Sequence, residues 1–269
     1  MRNLDDMLAH AVRVVEEAEA MFIAGLGSDP ASLKFPGDFA TEIDVEIEST
    51  VRRMLTQATD IPVFGEEAGG VYQPEATWIV DPIDGTSNYA AGNPLSAILV
   101  SLVLDDEPVV AVTSIPMLSR RLTAVKGRGV TVNGRRADPI RNRSPLVAQV
   151  GYSSVGAQYS SRFPTSMRLE VLARLSESAL RPRITGSVGV DLALTAQGTF
   201  DGAVSFSPYM WDNSAGVLLV REAGGVVTDI AGDPWVPKST GVVAGTEAAH
   251  REIMSTMNKI LAKKDQGRN

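Results

Sequence analysis

Four acidic stretches of this sequence fall where runs of apolar residues start or stop: Asp38 to Asp44, Glu66-Glu67, Asp81 to Asp84, and Asp212. The third carries most information. An apolar run, Trp78-Ile79-Val80, leads into Asp81-Pro82-Ile83-Asp84-Gly85-Thr86. Read as a strand, it delivers Asp81 to its carboxyl end, where α/β proteins place ligands. Pro82 lacks an N–H and has a fixed φ, so the carbonyls around it are poorly placed for regular pairing. Asp84-Gly85 then turns the chain, and Thr86 can open a short helix whose first N–H groups suit a phosphate oxygen. Two carboxylates three residues apart, flanking the Ile83 carbonyl, can face one cavity. Such hard oxygen donors suit Mg²⁺ better than zinc or copper. Carboxylates packed together repel each other and any phosphate, and cations in the cavity remove both repulsions. Two ions roughly 4 Å apart could hold an attacking water and a leaving oxygen in line. Without metal, such a site would hold no substrate.

Each stretch also has a plain structural reading. Thr41-x-x-Asp44 matches a capping box, and Asp212 suits a helix N-cap. Asp84-Gly85 is a common turn pair, Glu66-Glu67 could be a solvated edge, and Lys34 a surface lysine. The ordered set points to chemistry, because unrelated caps and turns rarely gather in this form.

Composition narrows the chemistry further. The 269 residues include no cysteine, so a disulfide framework and a thiolate site are both excluded. The only histidines, His10 and His250, lie in helix-like segments near the chain ends, which argues against Ser-His-Asp hydrolysis and His-rich zinc sites. Thirty-two acidic against 25 basic residues give a formal charge of −7, and the densest basic group is Arg135-Arg136 with Arg141 and Arg143. That balance does not suggest a nucleic-acid partner. No apolar run reaches the roughly 18–20 residues of a membrane span, and acidic residues from Asp5 onward argue against a signal peptide. A cytoplasmic protein with no membrane partner is the expectation.

The elements that must position these carboxylates follow from periodicity. Leu4, Met7, Leu8, Ala11, Val15, Ala18 and Phe22 recur at helical spacing, and Gly25, Gly27 and Pro30 end that helix. A second helix runs from Thr41 through Leu55. Short strands are expected at 61–64 and 78–81, and strands at 97–104 and 109–115 flank Asp105 to Pro108 as a hairpin. Asn133-Gly134 marks another hairpin. The second half alternates: strand 146–152, helix 166–178, a strand ending at Thr185, helix 188–197, strand 200–206, helix 212–223, strands 226–230 and 242–244, and a helix from Glu247 to about Lys263. This is a layered α/β (α+β) pattern with both halves sharing one site. We expect one catalytic domain over 1–264, with an α+β half at 1–138, an α/β half at 139–264 and a frayed tail at 265–269.

Together these segments resemble the inositol monophosphatase family, in the larger group that includes fructose-1,6-bisphosphatases. Trp78-Ile79-Val80-Asp81-Pro82-Ile83-Asp84-Gly85-Thr86, with Asn88-Tyr89, is similar to its first signature. Trp211-Asp212 with Ser214-Ala215-Gly216, followed by Glu222 to Gly225, is similar to its second. Asp38, Thr41, Asp44 and Gly65-Glu66-Glu67 fit in order and spacing, so the likeness covers roughly residues 4–260. It implies an α-β-α-β-α sandwich, a homodimer, and hydrolysis of a small phosphate monoester by metal-activated water, with inhibition by lithium. Inositol 1-phosphate is the first substrate expected. By the same resemblance Glu66, Asp81 and the Ile83 carbonyl hold a first Mg²⁺, and Asp81, Asp84 and Asp212 a second. Glu66 helps to hold a weaker third. Thr86, with Glu66 or Asp44, orients and deprotonates the water, and backbone groups of Gly85 and Thr86 hold the phosphate. Asp84, Asp212, Gly186, Val188 and Ser205 face the substrate.

One departure bears on the substrate. The family's animal members carry an inositol-contacting glutamate seven residues before the second-signature aspartate, and here that position is Ser205. A hydroxyl is shorter and uncharged. Val188 is also bulkier than the alanine common at its position. Histidinol phosphate, fructose 1,6-bisphosphate and adenosine 3′,5′-bisphosphate are the alternatives within the family, and a non-catalytic binding module the alternative outside it. A haloacid-dehalogenase motif fits poorly, because it spaces its aspartates two apart rather than three and forms a phosphoaspartate.

Overall fold

The computed structural model describes residues 3–35, 38–156 and 161–266, with side chains excepted at 34, 35, 38 and 263–266. The side chains of Lys34 and Asp38 therefore lie outside the described residues.

The amino-terminal half opens with helix α1 (Leu4–Ala24), the short pair β1 (Ser32–Phe35) and β2 (Asp38–Ala40), and helix α2 (Glu42–Thr59). A seven-stranded sheet follows: β3 (Val63–Gly65), β4 (Thr77–Asp84), β5 (Ala97–Leu104), β6 (Glu107–Ile115), β7 (Arg120–Val125), β8 (Val130–Val132) and β9 (Arg135–Arg136). The five-residue helix α3 (Thr86–Ala90) lies between β4 and β5. The strands pair in chain order, β3 with β4 in parallel and the rest as an antiparallel meander.

The carboxyl-terminal half contains β10 (Gln149–Tyr152), α4 (Thr165–Glu177), β11 (Arg181–Ile184), α5 (Val188–Ala196), β12 (Gly202–Ser205), α6 (Met210–Glu222), β13 (Val226–Thr228), β14 (Val242–Gly245) and α7 (Glu247–Gln266). Its sheet runs in the order β11-β10-β12-β14-β13. Helix α7 reaches Gln266, so the expected frayed tail at 265–269 starts too early; residues 267–269 lie outside the described ones.

The layers follow from what each face buries. In β5, Ile98, Val100 and Leu102 join α1 and α2 in one apolar core, with Val15, Phe22, Ile47 and Leu55. Ala97 and Leu99 face a second core made with Leu192 of α5 and Ala215 and Leu219 of α6. A sheet covered on both faces needs apolar residues at consecutive positions, which is why Ala97 to Leu104 is apolar on both sides of a single buried Ser101. Beyond α5 and α6 lies the smaller sheet, whose outer face packs Val150, Tyr152 and Val204 against Val171 of α4 and Ile253 of α7. The stack is α1/α2, large sheet, α5/α6, small sheet, α4/α7, the α-β-α-β-α sandwich anticipated from the sequence.

Two hairpins form where turn residues allow. Asp105 and Asp106 adopt φ of 51° and 59°, and Asn133 and Gly134 φ of 49° and 75°, the left-handed conformations of a tight hairpin turn. Strands β1, β2 and β7 were missed by periodicity, being short or half-exposed.

Candidate active site

The site begins with an irregularity in β4. Asp81 pairs with Leu99 and Asp84 with Ala97, so three residues of β4 span two of β5 and the chain bulges at Pro82-Ile83. The strand therefore does not end at Asp81, as the sequence suggested, but continues to Asp84. In a regular strand, residues three apart point to opposite faces. Across the bulge they converge: carboxylate oxygens of Asp81, Asp84 and Asp212 all lie within 4.8 Å of one another. Asp212 is not the N-cap expected of it. Helix α6 starts at Met210 with Tyr209 as its N-cap, and Asp212 lies in the first turn, where the helix dipole favours a carboxylate.

Asp81 and Asp84 are buried and Asp212 half-buried. Desolvation pushes the Asp81 carboxyl well above its usual range, and the charges of Glu66, Asp84 and Asp212 push it further. Asp212 is raised by burial and then by the charges of Asp84 and Glu66. Burial raises Asp84 only to about 6, because three donors oppose it. The Ser187 hydroxyl donates to Oδ2, Gly189 N–H donates to Oδ2 at 2.6 Å and Val188 N–H to Oδ1 at 3.2 Å. Asp84 thus caps α5, a helix from the other half of the chain. Gly189 permits the approach: a Cβ there would lie 2.4 Å from Leu99 Cδ2 and 2.9 Å from Asp84 Oδ2.

Beside this group stands a hydroxyl. Thr86 Oγ1 lies 3.0 Å from the Ile83 carbonyl oxygen and 3.4 Å from Asp44 Oδ1, and can donate to either. Asp44 is fully buried and does close the capping box of α2, its Oδ2 accepting from Thr41 N–H at 2.8 Å and Thr41 Oγ1 at 2.6 Å. The capping box uses Asp44 Oδ2, while Oδ1 faces the Thr86 hydroxyl.

Glu66 follows β3 and stands close enough to Asp81 for its charge to raise that carboxyl. Its loop is held by two residues the sequence reading missed. Glu48 of α2, 1% exposed, accepts from Glu67 N–H at 2.6 Å and Ala68 N–H at 2.9 Å. Arg52, one turn on, donates to Glu48 at 2.8 Å, to the Val63 carbonyl at 2.6 Å and to the Gly69 carbonyl at 2.7 Å. The available signal was an i, i+4 Glu–Arg pair on a helix otherwise apolar on its inner face. A Cβ on Gly65 would meet the Glu48 carboxyl at 2.4 Å. Replacing Glu48 by Ala leaves two N–H groups and a guanidinium without their acceptor. We expect a loss of about 3 kcal/mol in stability, read from the urea midpoint.

The residues expected to face the substrate divide. Gly85 and Gly186 meet across the two halves: Gly85 has φ of 85°, and a Cβ on it would lie 3.2 Å from the Gly186 carbonyl oxygen. Asn88, also unforeseen, joins them by donating to the carbonyls of Leu95 at 2.6 Å and Thr185 at 2.8 Å. Val188 is buried in the core against α6, with its N–H committed to Asp84. Ser205 is buried, and its hydroxyl accepts from Ser207 N–H at 3.1 Å.

The donor chemistry fits a hard cation. Every donor in the group is an oxygen, the charges of Asp84 and Asp212 raise the proton affinity of Asp81, and Asp81 Oδ2 is buried without a hydrogen-bond partner. A buried carboxylate oxygen in that state needs a proton or a metal ion.

Residues 3–262 match the profile described as the inositol monophosphatase family. The chain is 42% identical over 263 residues to a protein of Mycobacterium tuberculosis described as probable inositol 1-monophosphatase ImpA, covering 96% of this chain and 97% of that one. It is 33% identical to the fructose-1,6-bisphosphatase/inositol-1-monophosphatase of Aquifex aeolicus, covering 83% of each. Among solved structures, the IMPase of Thermotoga maritima superposes with a TM-score of 0.85 at 26% identity, over 96% of this chain and 99% of that chain. With its acidic group at the bulge of β4, this chain belongs to the inositol monophosphatase family and is a phosphoric monoester hydrolase.

Proposed function

We propose that this protein hydrolyses inositol 1-phosphate to inositol and phosphate with magnesium as its metal. The observation that carries the reading is the meeting of Asp81, Asp84 and Asp212 within 4.8 Å, beside the Thr86–Asp44 pair. Asp81, Asp84 and Asp212 hold one Mg²⁺, and Glu66, Asp81 and the Ile83 carbonyl another, with Glu66 contributing to a weaker third. Bound magnesium neutralises the phosphate and supplies a Lewis acid. Thr86 Oγ1 orients the attacking water and takes its proton, passing its own to Asp44 Oδ1; Glu66 is the alternative acceptor. Backbone N–H groups of Gly85 and Thr86 hold the phosphate, and Gly186 borders the leaving group. The two halves act as one catalytic domain, in a cytoplasmic homodimer sensitive to lithium.

Fructose 1,6-bisphosphate is the second reading. The Aquifex aeolicus relative is described as acting on both substrates, and the short, committed Ser205 hydroxyl offers an inositol ring no charged acceptor. Phosphate release from inositol 1-phosphate, fructose 1,6-bisphosphate, histidinol phosphate and adenosine 3′,5′-bisphosphate, each with and without Mg²⁺ and Li⁺, tests both. Inositol 1-phosphate should turn over fastest, only with Mg²⁺, and should be inhibited by Li⁺. A preference of about tenfold or more for the bisphosphate would replace the first reading by the second. Folded, metal-saturated protein inert on all four would overturn both.

A further inference from the structure

The one basic group singled out in the sequence takes no part in the acidic site, and the fold gathers it into a cleft. Arg135 and Arg136 form the edge strand β9, and Arg141 and Arg143 lie in the connection that leads to the second half. All four line a cleft of about 590 Å³ with Asp138 and Ile140, a volume within the usual range of small-ligand pockets. Arg143 is tethered: its guanidinium donates to both carboxylate oxygens of Asp201, at 3.1 and 2.6 Å, and to the Thr199 carbonyl at 2.7 Å. Arg135, Arg136 and Arg141 are exposed, and none forms an ion pair among the described residues. Arg143 being neutralised by Asp201, three positive charges face the single carboxylate of Asp138, in a chain whose formal charge is −7.

The cleft is well separated from the acidic site. Gln197 and Gly198, which line it, follow the carboxyl end of α5, whereas Asp84 meets the amino end at Val188 and Gly189, about 14 Å of helix away. None of the carboxylates at the β4 bulge lines it.

We propose that this cleft is a second ligand site, for a small phosphorylated molecule with two or more negative charges. Guanidinium groups present paired N–H donors that match phosphate oxygens, and several converging on one cavity favour an anion far more than a solvated surface arginine does. The apolar floor at Ile140 suits the body of such a molecule, and the cleft is larger than one phosphate requires.

The test uses methylenediphosphonate, a non-hydrolysable dianionic probe, titrated calorimetrically into the full-length chain stripped of metal, whose acidic site repels anions. Wild type should show one saturable binding event that weakens as NaCl is raised. Arg135→Ala/Arg141→Ala should bind about tenfold more weakly or worse, while Asp138→Asn should bind more tightly. Both changes lie on the surface, and magnesium-dependent phosphate release should be unchanged in both variants. Three results would overturn the proposal: no saturable binding to wild type, equal affinity in the double arginine variant, or tighter binding in Asp84→Asn, where one repelling charge is gone, which would put the probe in the acidic site. A change of oligomeric state on sedimentation of the arginine variant, without a change in probe binding, would also overturn it, making the cleft a seat for another copy of the chain.

Discussion

Asp84→Asn should reduce magnesium-dependent phosphate release by more than a hundredfold and leave the protein folded. The carboxylate is one of three that meet within 4.8 Å, so its loss removes a charge and a donor from the group itself. Residues that only support such groups typically cost about 10- to 100-fold when lost. The fold should survive because the amide keeps the shape. Its oxygen can still accept from one of the Val188 and Gly189 N–H groups, and its NH₂ can donate to the Ser187 hydroxyl oxygen. One backbone donor at the start of α5 is left unpaired, a cost of about 1–2 kcal/mol, partly offset by relief of repulsion with Asp81 and Asp212. Turnover measured beside a thermal melt separates the two effects. Activity within tenfold of wild type would remove Asp84 from the reaction. A melt collapsed by tens of degrees would make it mainly the link between the two halves.

The second large effect is on stability. Asp84 is raised to about 6 in the folded chain by burial, against about 3.9 when unfolded. Between those values the native state binds more protons than the unfolded one, so stability falls as pH rises from about 4 to about 6. Asp81 and Asp212 are raised in the same direction by burial and by their neighbours' charges, which extends the loss upward. The metal-free protein should therefore melt at a higher temperature at pH 5.5 than at pH 7.5. Magnesium replaces the protons as counter-charge. At about 100 times its dissociation constant it should add about 2.7 kcal/mol, or about 5–10 °C in Tm for a chain of this size, and flatten the pH dependence. In Asp84→Asn the metal-free slope should be shallower. A metal-free Tm that falls between pH 7 and pH 6 would contradict the buried, mutually repelling group.

Much of this was legible before the fold. The helical spacing from Leu4 to Phe22 gives α1, and Asn133-Gly134 gives the turn between β8 and β9, because periodicity and turn chemistry are local. Asp44, Glu66, Asp81, Thr86 and Asp212 were all singled out by type and position. Glu48 and Arg52 were not, because their i, i+4 spacing marks only a helix pair, while the partners that give them their role are backbone groups 11 to 20 residues away.

The sequence by itself determined the donor chemistry: no thiol, two remote histidines and a set of carboxylates leave oxygen ligands and a hard metal. The alternation of helix and strand patterns showed a layered α/β chain, and the five-layer stack was expected from the family resemblance. Only the tertiary structure decided how the carboxylates meet. A strand's period of two sends Asp81 and Asp84 to opposite faces, and one extra residue in register with β5 reverses that. Asp212 reaches them because Asp84 anchors α5, Gly216 lets α6 lie against Leu192 of α5, and α6 in turn packs on the large sheet. The bonds from Asp84 to α5 join residues more than a hundred positions apart, where register and packing, rather than local propensity, set the geometry.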